Sequence, residues 1–119
     1  HLKVGSYPMV RVHGRLTRVT EEKKLDHEDL VEMAASIMSA TQRQRFKDAQ
    51  EIDLAYSVPG LGRFRCNVFQ QRGTIGIVLR VIPVKVMNLE DLGLPQVMKK
   101  IANEERGLVL VTGPTGSGK

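Results

Sequence analysis

The sequence has no tryptophan, only two tyrosines and three phenylalanines, and a single cysteine among its 119 residues. Because Cys66 has no partner in the chain, an internal disulfide is excluded, and a reducing compartment fits best. The scarcity of aromatic residues means that aliphatic side chains must build the core. No apolar run approaches the roughly 20 residues that a membrane-spanning helix needs, so the sequence predicts no transmembrane segment.

Basic residues outnumber acidic ones, with 18 Lys and Arg against 13 Asp and Glu, for a formal net charge of +5. This balance favours an anionic partner, which leaves nucleic acid, a membrane surface and nucleotide phosphates open. No basic stripe is interleaved with aromatic residues, so nucleic acid is not expected as a partner. The histidines His1, His13 and His27 lack metal-ligand spacing, and no metal site is predicted in this chain.

Alternation of apolar and polar residues predicts strands in the first 84 residues, with two helices between them. Met9–His13 and Arg15–Val19 form a hairpin around Gly14. Asp26 is the predicted N-cap of a helix with an apolar stripe over Leu30–Met38. Thr41 is the predicted cap of a second helix that runs to about Gln50. Three strands follow, over Ile52–Val58, Leu61–Phe69 and Thr74–Ile82.

The pattern changes after Pro83. Residues 85–88 are predicted to be an extended linker. Asn88 is predicted to cap a short helix ending at Gly93, and Pro95 to start another. Leu108–Val111 is apolar on both faces, as in a buried parallel strand. The predicted class is therefore α+β, with one domain at residues 1–84 and the start of an α/β domain at residues 89–119.

The strongest functional signal is a glycine-rich segment directly after the predicted last strand. It fits G-x-x-x-x-G-K, the phosphate-binding loop. In such a loop the backbone N–H groups turn toward the β-phosphate, and the lysine reaches the β- and γ-phosphates. The alternative is a glycine-rich turn that matches by chance. The residues are Gly113, Pro114, Thr115, Gly116, Ser117, Gly118 and Lys119.

Arginines on neighbouring predicted strands give a second signal. Arg63 and Arg65 are two residues apart on one strand and share a face. If Arg72 and Gly73 form the centre of the following turn, Arg65 lies directly opposite Arg80. Like charges in that position destabilise a sheet, and an anion or carboxylate between them would make the pair more tolerable. The alternative is a solvated sheet face with separated arginines.

Several segments together resemble the type IV pilus retraction (twitching motility) ATPases of the secretion ATPase superfamily. The resemblance spans nearly the whole chain, and residues 67–71 favour the retraction branch. The segments are HL at residues 1–2, PMVRVHG at 8–14, VPGLGRFRCNVFQQ at 58–71, LRVIP at 79–83, LEDLGLP at 89–95 and GLVLVTGPTGSGK at 107–119.

The resemblance implies a PAS-like N-terminal domain linked to a RecA-like ATPase domain that is truncated here in its phosphate loop. It implies a cytoplasmic homohexamer at the inner membrane face, which uses ATP and Mg²⁺ and contacts a membrane platform protein. Arg65 and Arg80 best match the family's arginines that approach the γ-phosphate, with Arg63 next. The Ser or Thr that holds Mg²⁺ would follow Lys119, so this portion alone is expected to be inactive.

Two other functions stay open at this point. One is a non-catalytic PAS-like module that binds a small ligand or a protein, with an incidental glycine-rich loop. The other is a pilus-assembly or type II secretion ATPase of the same superfamily.

Overall fold

The computed structural model describes residues 1–84 and 87–117. The chain divides into two compact units, His1–Val84 and Lys85–Lys119. Of the predicted linker at residues 85–88, Lys85 and Val86 lie outside the described residues. No helix in the described ranges combines the length and apolar character needed to cross a membrane.

The first unit is built on a four-stranded sheet in the order β1-β6-β5-β4. Every neighbouring pair of strands is antiparallel. The short β1 was not predicted and pairs with β6 at one edge. The strands are β1 (Leu2–Lys3), β4 (Glu51–Val58), β5 (Gly62–Gln71) and β6 (Thr74–Ile82).

The turn between β5 and β6 has the two central residues on which the predicted Arg65–Arg80 pairing depends. Gln71 pairs with Thr74, so Arg72 and Gly73 alone form the loop. Their φ angles of 52° and 76° match the left-handed requirement of a type I′ hairpin turn. This turn fixes the register of both strands.

A separate two-stranded sheet pairs β2 (Met9–Val12) with β3 (Arg15–Arg18). His13 and Gly14 form its turn, with φ angles of 47° and 80°. The predicted hairpin is confirmed. The first strand ends at Val12 instead of His13, and the second ends at Arg18 instead of Val19.

The two helices of the first unit begin with capping boxes. In α1 (His27–Ile37) the Asp26 side chain accepts from the backbone N–H of Asp29, which confirms the predicted cap. The α2 prediction was wrong by two residues. The helix spans Ala40–Ala49, and its cap is Ser39, whose hydroxyl accepts from the backbone N–H of Gln42. Thr41 lies inside the first turn, because Ser39 has Gln42 three residues later to close the box.

The core lies between the inner face of the sheet and the helices. Leu30, Cys66 and Val68 are completely buried. Burial raises the pKa of the Cys66 thiol, as expected for a small core residue. Among the described residues the buried apolar side chains are Leu25, Leu30, Ala34, Met38, Phe46, Leu54, Cys66, Val68 and Ile77.

The second unit has less regular structure than predicted. Residues 89–93 form a hydrogen-bonded turn instead of a helix, and α3 spans Val97–Ala102. Leu108–Val111 forms no strand, and its side chains are exposed. A parallel strand needs a hydrogen-bonded neighbour, and none is present among the described residues of this unit. An apolar run alone therefore did not produce a strand.

Candidate functional site

The outward face of the sheet brings Arg65 and Arg80 together. The β5–β6 register places Arg65 directly opposite Arg80, so the predicted pairing is confirmed. Residues in this position share one face, with Cβ atoms about 4.5–5.5 Å apart. Two permanent positive charges therefore lie side by side, an arrangement that costs stability unless an anion neutralises it.

A carboxylate from the adjoining strand β4 and an amide from β5 itself complete the surroundings of Arg65. Arg65 Nη2 lies 3.5 Å from Asp53 Oδ2. Asn67 Nδ2 donates to Glu51 Oε1 at 3.0 Å and to Asp53 Oδ1 at 3.4 Å. The Arg65 and Asp53 side chains are 68% and 56% exposed, so water screens the pair and limits its contribution to folding. Among the described residues Arg80 has no acidic partner, which leaves the site positive.

These side chains surround a shallow cavity of about 290 Å³, lined by Asp53, Arg65, Asn67, Val78 and Arg80. Arg63 lies apart from it. It is opposite Ile82 on β6 and lines a different cavity, of about 520 Å³, beside the β4–β5 turn. The structure thus brings together two of the three predicted arginines and separates the third.

Asp53 and Asn67 are the polar members of this cavity that the sequence prediction missed. The signal was present in the alternation of β4, where Ile52 and Leu54 point inward and Asp53 must therefore point outward. What was missing was the pairing of β4 with β5, which puts Asp53 directly opposite Asn67. The loop at Pro59 and Gly60 determines that register, and its length is not evident from the sequence.

The described part of the glycine-rich segment forms a turn. The Ser117 N–H donates to the Pro114 carbonyl at 3.2 Å, and Gly116 has a φ of 87°, a conformation that favours glycine. A Cβ atom at Gly113 would lie 2.5 Å from Ser117 Oγ, so the backbone is close-packed there. Gly118 and Lys119 lie outside the described residues.

Each of these two features suits an anion by itself. Backbone N–H groups in a glycine-rich turn are donors for an anion, and the arginine cavity is positive. No group of three or more His, Cys, Asp and Glu side chains in residues 1–84 and 87–117 is arranged to hold a metal ion.

Comparison with known proteins identifies the relatives. The chain is 44% identical over all 119 residues to the type IV pilus retraction ATPase PilT of Pseudomonas aeruginosa, and covers 34% of its length. This chain is homologous to the type IV pilus retraction ATPases. A twitching motility protein of Neisseria gonorrhoeae is 41% identical over 94% of the chain, which covers 30% of that protein. No protein-family model matches the chain.

A solved structure shares the fold. The crystal structure of the pilus retraction motor PilT with bound ADP matches 99% of the chain with a TM-score of 0.88 and 40% identity, and the chain covers 34% of it. The predicted α+β class with an antiparallel sheet is confirmed. The chain spans about a third of the length of the retraction ATPases it matches.

Proposed function

We propose that the chain is the N-terminal portion of a hexameric motor ATPase that powers pilus retraction. The observation that carries this proposal is the 44% identity to a pilus retraction ATPase over every residue of the chain. That identity favours a retraction motor over a non-catalytic ligand-binding module, because it extends through the glycine-rich loop as well as the sheet. It also favours retraction over an assembly or type II secretion ATPase.

The two parts of the proposed nucleotide site have different tasks. The loop at residues 113–119 holds the phosphates of ATP through its backbone N–H groups and Lys119. Arg65 and Arg80 contact the γ-phosphate, where charge develops during hydrolysis, and Arg63 has a smaller part. Arginines are suited to this role because each offers several donors in a planar fork. The repulsion between Arg65 and Arg80 is then relieved by the phosphate.

The remaining parts of the proposal concern the parent protein. Mg²⁺ would neutralise phosphate charge there and would be held by a Ser or Thr after the loop lysine. The parent would form a homohexamer at the cytoplasmic face of the inner membrane and contact a pilus platform protein. These assignments rest on the similarity to pilus retraction ATPases.

Steady-state ATP hydrolysis by the full-length parent tests the arginine assignment. We expect Arg65→Ala and Arg80→Ala each to lower kcat by about 10³-fold, the range for arginines that stabilise the transferred phosphoryl group. Arg43→Ala, which removes an exposed arginine from α2, is the matched control and should leave kcat unchanged. The 119-residue chain itself should not hydrolyse ATP.

Oligomer size must be measured for each variant by light scattering. Normal kcat in intact hexamers of both Arg65→Ala and Arg80→Ala would refute the assignment. A parent protein without any nucleotide-dependent activity would refute the motor proposal itself.

A further inference from the structure

The hairpin of β2 and β3, residues Met9–Arg18, combines basic and apolar side chains in one exposed element. It contains Arg11, Arg15 and Arg18 and neither Asp nor Glu, which gives these ten residues a charge of +3. Its aliphatic side chains are also uncovered. Val10, Val12 and Leu16 are 47%, 54% and 44% exposed.

Main-chain hydrogen bonds attach the hairpin to the rest of the unit at its base. The N–H of Met9 donates to the His1 carbonyl at 3.0 Å, and the backbone nitrogen of His1 donates to the Met9 carbonyl at 2.8 Å. Beyond that base, among the described residues, β2 and β3 pair only with each other. A two-stranded hairpin is marginally stable in water, and exposed aliphatic groups add to its cost until a partner covers them.

Each face of the hairpin carries both kinds of side chain, because directly opposite residues share a face. One face has Met9, Arg11, Leu16 and Arg18, and the other has Val10, Val12, Arg15 and Thr17. A protein that docks on one face would leave apolar and charged groups of the other face in water. An environment that encloses the hairpin from both sides can contact the apolar and the basic side chains of both faces.

We propose that this basic hairpin inserts into the headgroup layer of a membrane rich in anionic phospholipids. There the arginines bind lipid phosphates through paired N–H donors, and the aliphatic side chains reach the boundary of the acyl chains. Nucleic acid fits this element less well, because residues 9–18 have no aromatic side chain on which a base could stack. The proposal is independent of the ATPase assignment, since vesicle binding needs no nucleotide.

Co-sedimentation of the 119-residue chain with lipid vesicles tests this. We expect binding to vesicles of equal parts phosphatidylcholine and phosphatidylglycerol, and none to phosphatidylcholine alone. Replacing Arg11, Arg15 and Arg18 together by Gln should lower the partition coefficient by about 100-fold, since each basic residue near such a surface contributes about fivefold. The matched control is the same replacement of Arg43, Arg45 and Lys47 on α2, which removes equal charge and should have little effect.

A second variant separates insertion from simple attraction. Leu16→Ser keeps the charge, and it should weaken binding most at high salt, where the electrostatic part is screened. Circular dichroism establishes that each variant retains its fold. Equal losses from the two triple variants, or no binding to anionic vesicles, would overturn the proposal. Competition by poly-glutamate as effective as that by anionic vesicles would also overturn it and favour an acidic protein instead.

Discussion

Arg65 and Arg80 form a pair that is unfavourable for folding and, in the proposed role, useful for binding. They face each other on adjacent strands, and Asp53 lies within ion-pair distance of Arg65 alone. Removing the repulsion should therefore stabilise the sheet while it destroys the proposed phosphate contact.

Charge reversal at Arg80 tests whether the two arginines repel each other in the folded sheet. Arg80→Glu puts a carboxylate directly opposite Arg65, and we expect it to raise the free energy of unfolding of the 119-residue chain by about 0.2–1 kcal/mol. Urea denaturation measures this change in the free energy of unfolding. The control is Lys3→Glu, a charge reversal opposite Gly76, which brings no arginine into a direct pair. A loss of stability in Arg80→Glu, beyond that of the control, would show that the arginines do not repel each other in this register.

At the scale of elements, the residues that determine helix α2 are Ser39 and Gln42. Ser39→Ala removes the acceptor for the Gln42 N–H, recorded at 3.3 Å, and should cost about 1 kcal/mol. Thr41→Ala should cost nothing, since Ala is the better helix former inside the first turn. Thermal unfolding of the two variants measures both effects. A larger loss of stability in Thr41→Ala than in Ser39→Ala would instead identify Thr41 as the cap.

Helix α1 should show a pH dependence through Asp29. The Lys23 ammonium and the Asp26 backbone N–H hold the pKa of the Asp29 carboxyl below its ordinary value of 3.8. Because the folded-state pKa is lowered, the stabilisation is complete above the unfolded value. It is lost as the pH falls below 3.8 through the folded-state value. The fall in the free energy of unfolding at acid pH is therefore expected to depend on Asp29.

Asp29→Asn can still accept at the helix cap but cannot lose a proton. Urea midpoints at pH 6 and pH 3 should therefore differ less in this variant than in the unmodified chain. Asp48→Asn, which removes a carboxylate that makes no ion pair among the described residues, is the control. An unchanged pH dependence in Asp29→Asn would contradict the role of the Lys23 pair.

Local patterns predicted the elements that are stabilised by local interactions. Alternation with positive-φ turn residues was sufficient for the hairpin around Gly14 and for the β5–β6 register that joins Arg65 to Arg80. The Asp26 cap followed from the acidic first turn of α1. Prediction failed at Leu108–Val111, where a strand depends on a neighbour. The β4–β5 pairing was not predicted either, because it depends on the length of the loop between the two strands. The contribution of Asp53 and Asn67 was therefore missed as well.

In the molecule as a whole, the two compact units differ in character. The first unit presents the arginine cavity on a four-stranded antiparallel sheet. The second unit contains a turn in which Gly116 has a positive φ, a conformation suited to a phosphate loop. The proposed motor uses both, with the loop binding all phosphates and the arginines recognising only the last one.

The most direct test compares the affinities of the full-length parent for ATPγS and ADP by isothermal titration calorimetry. We predict that Arg65→Ala and Arg80→Ala weaken ATPγS binding by at least about 10-fold, as for the loss of a charge-assisted hydrogen bond, and leave ADP binding unchanged. Equal weakening of both nucleotides, or no change in either, would contradict the assignment of these arginines to the γ-phosphate.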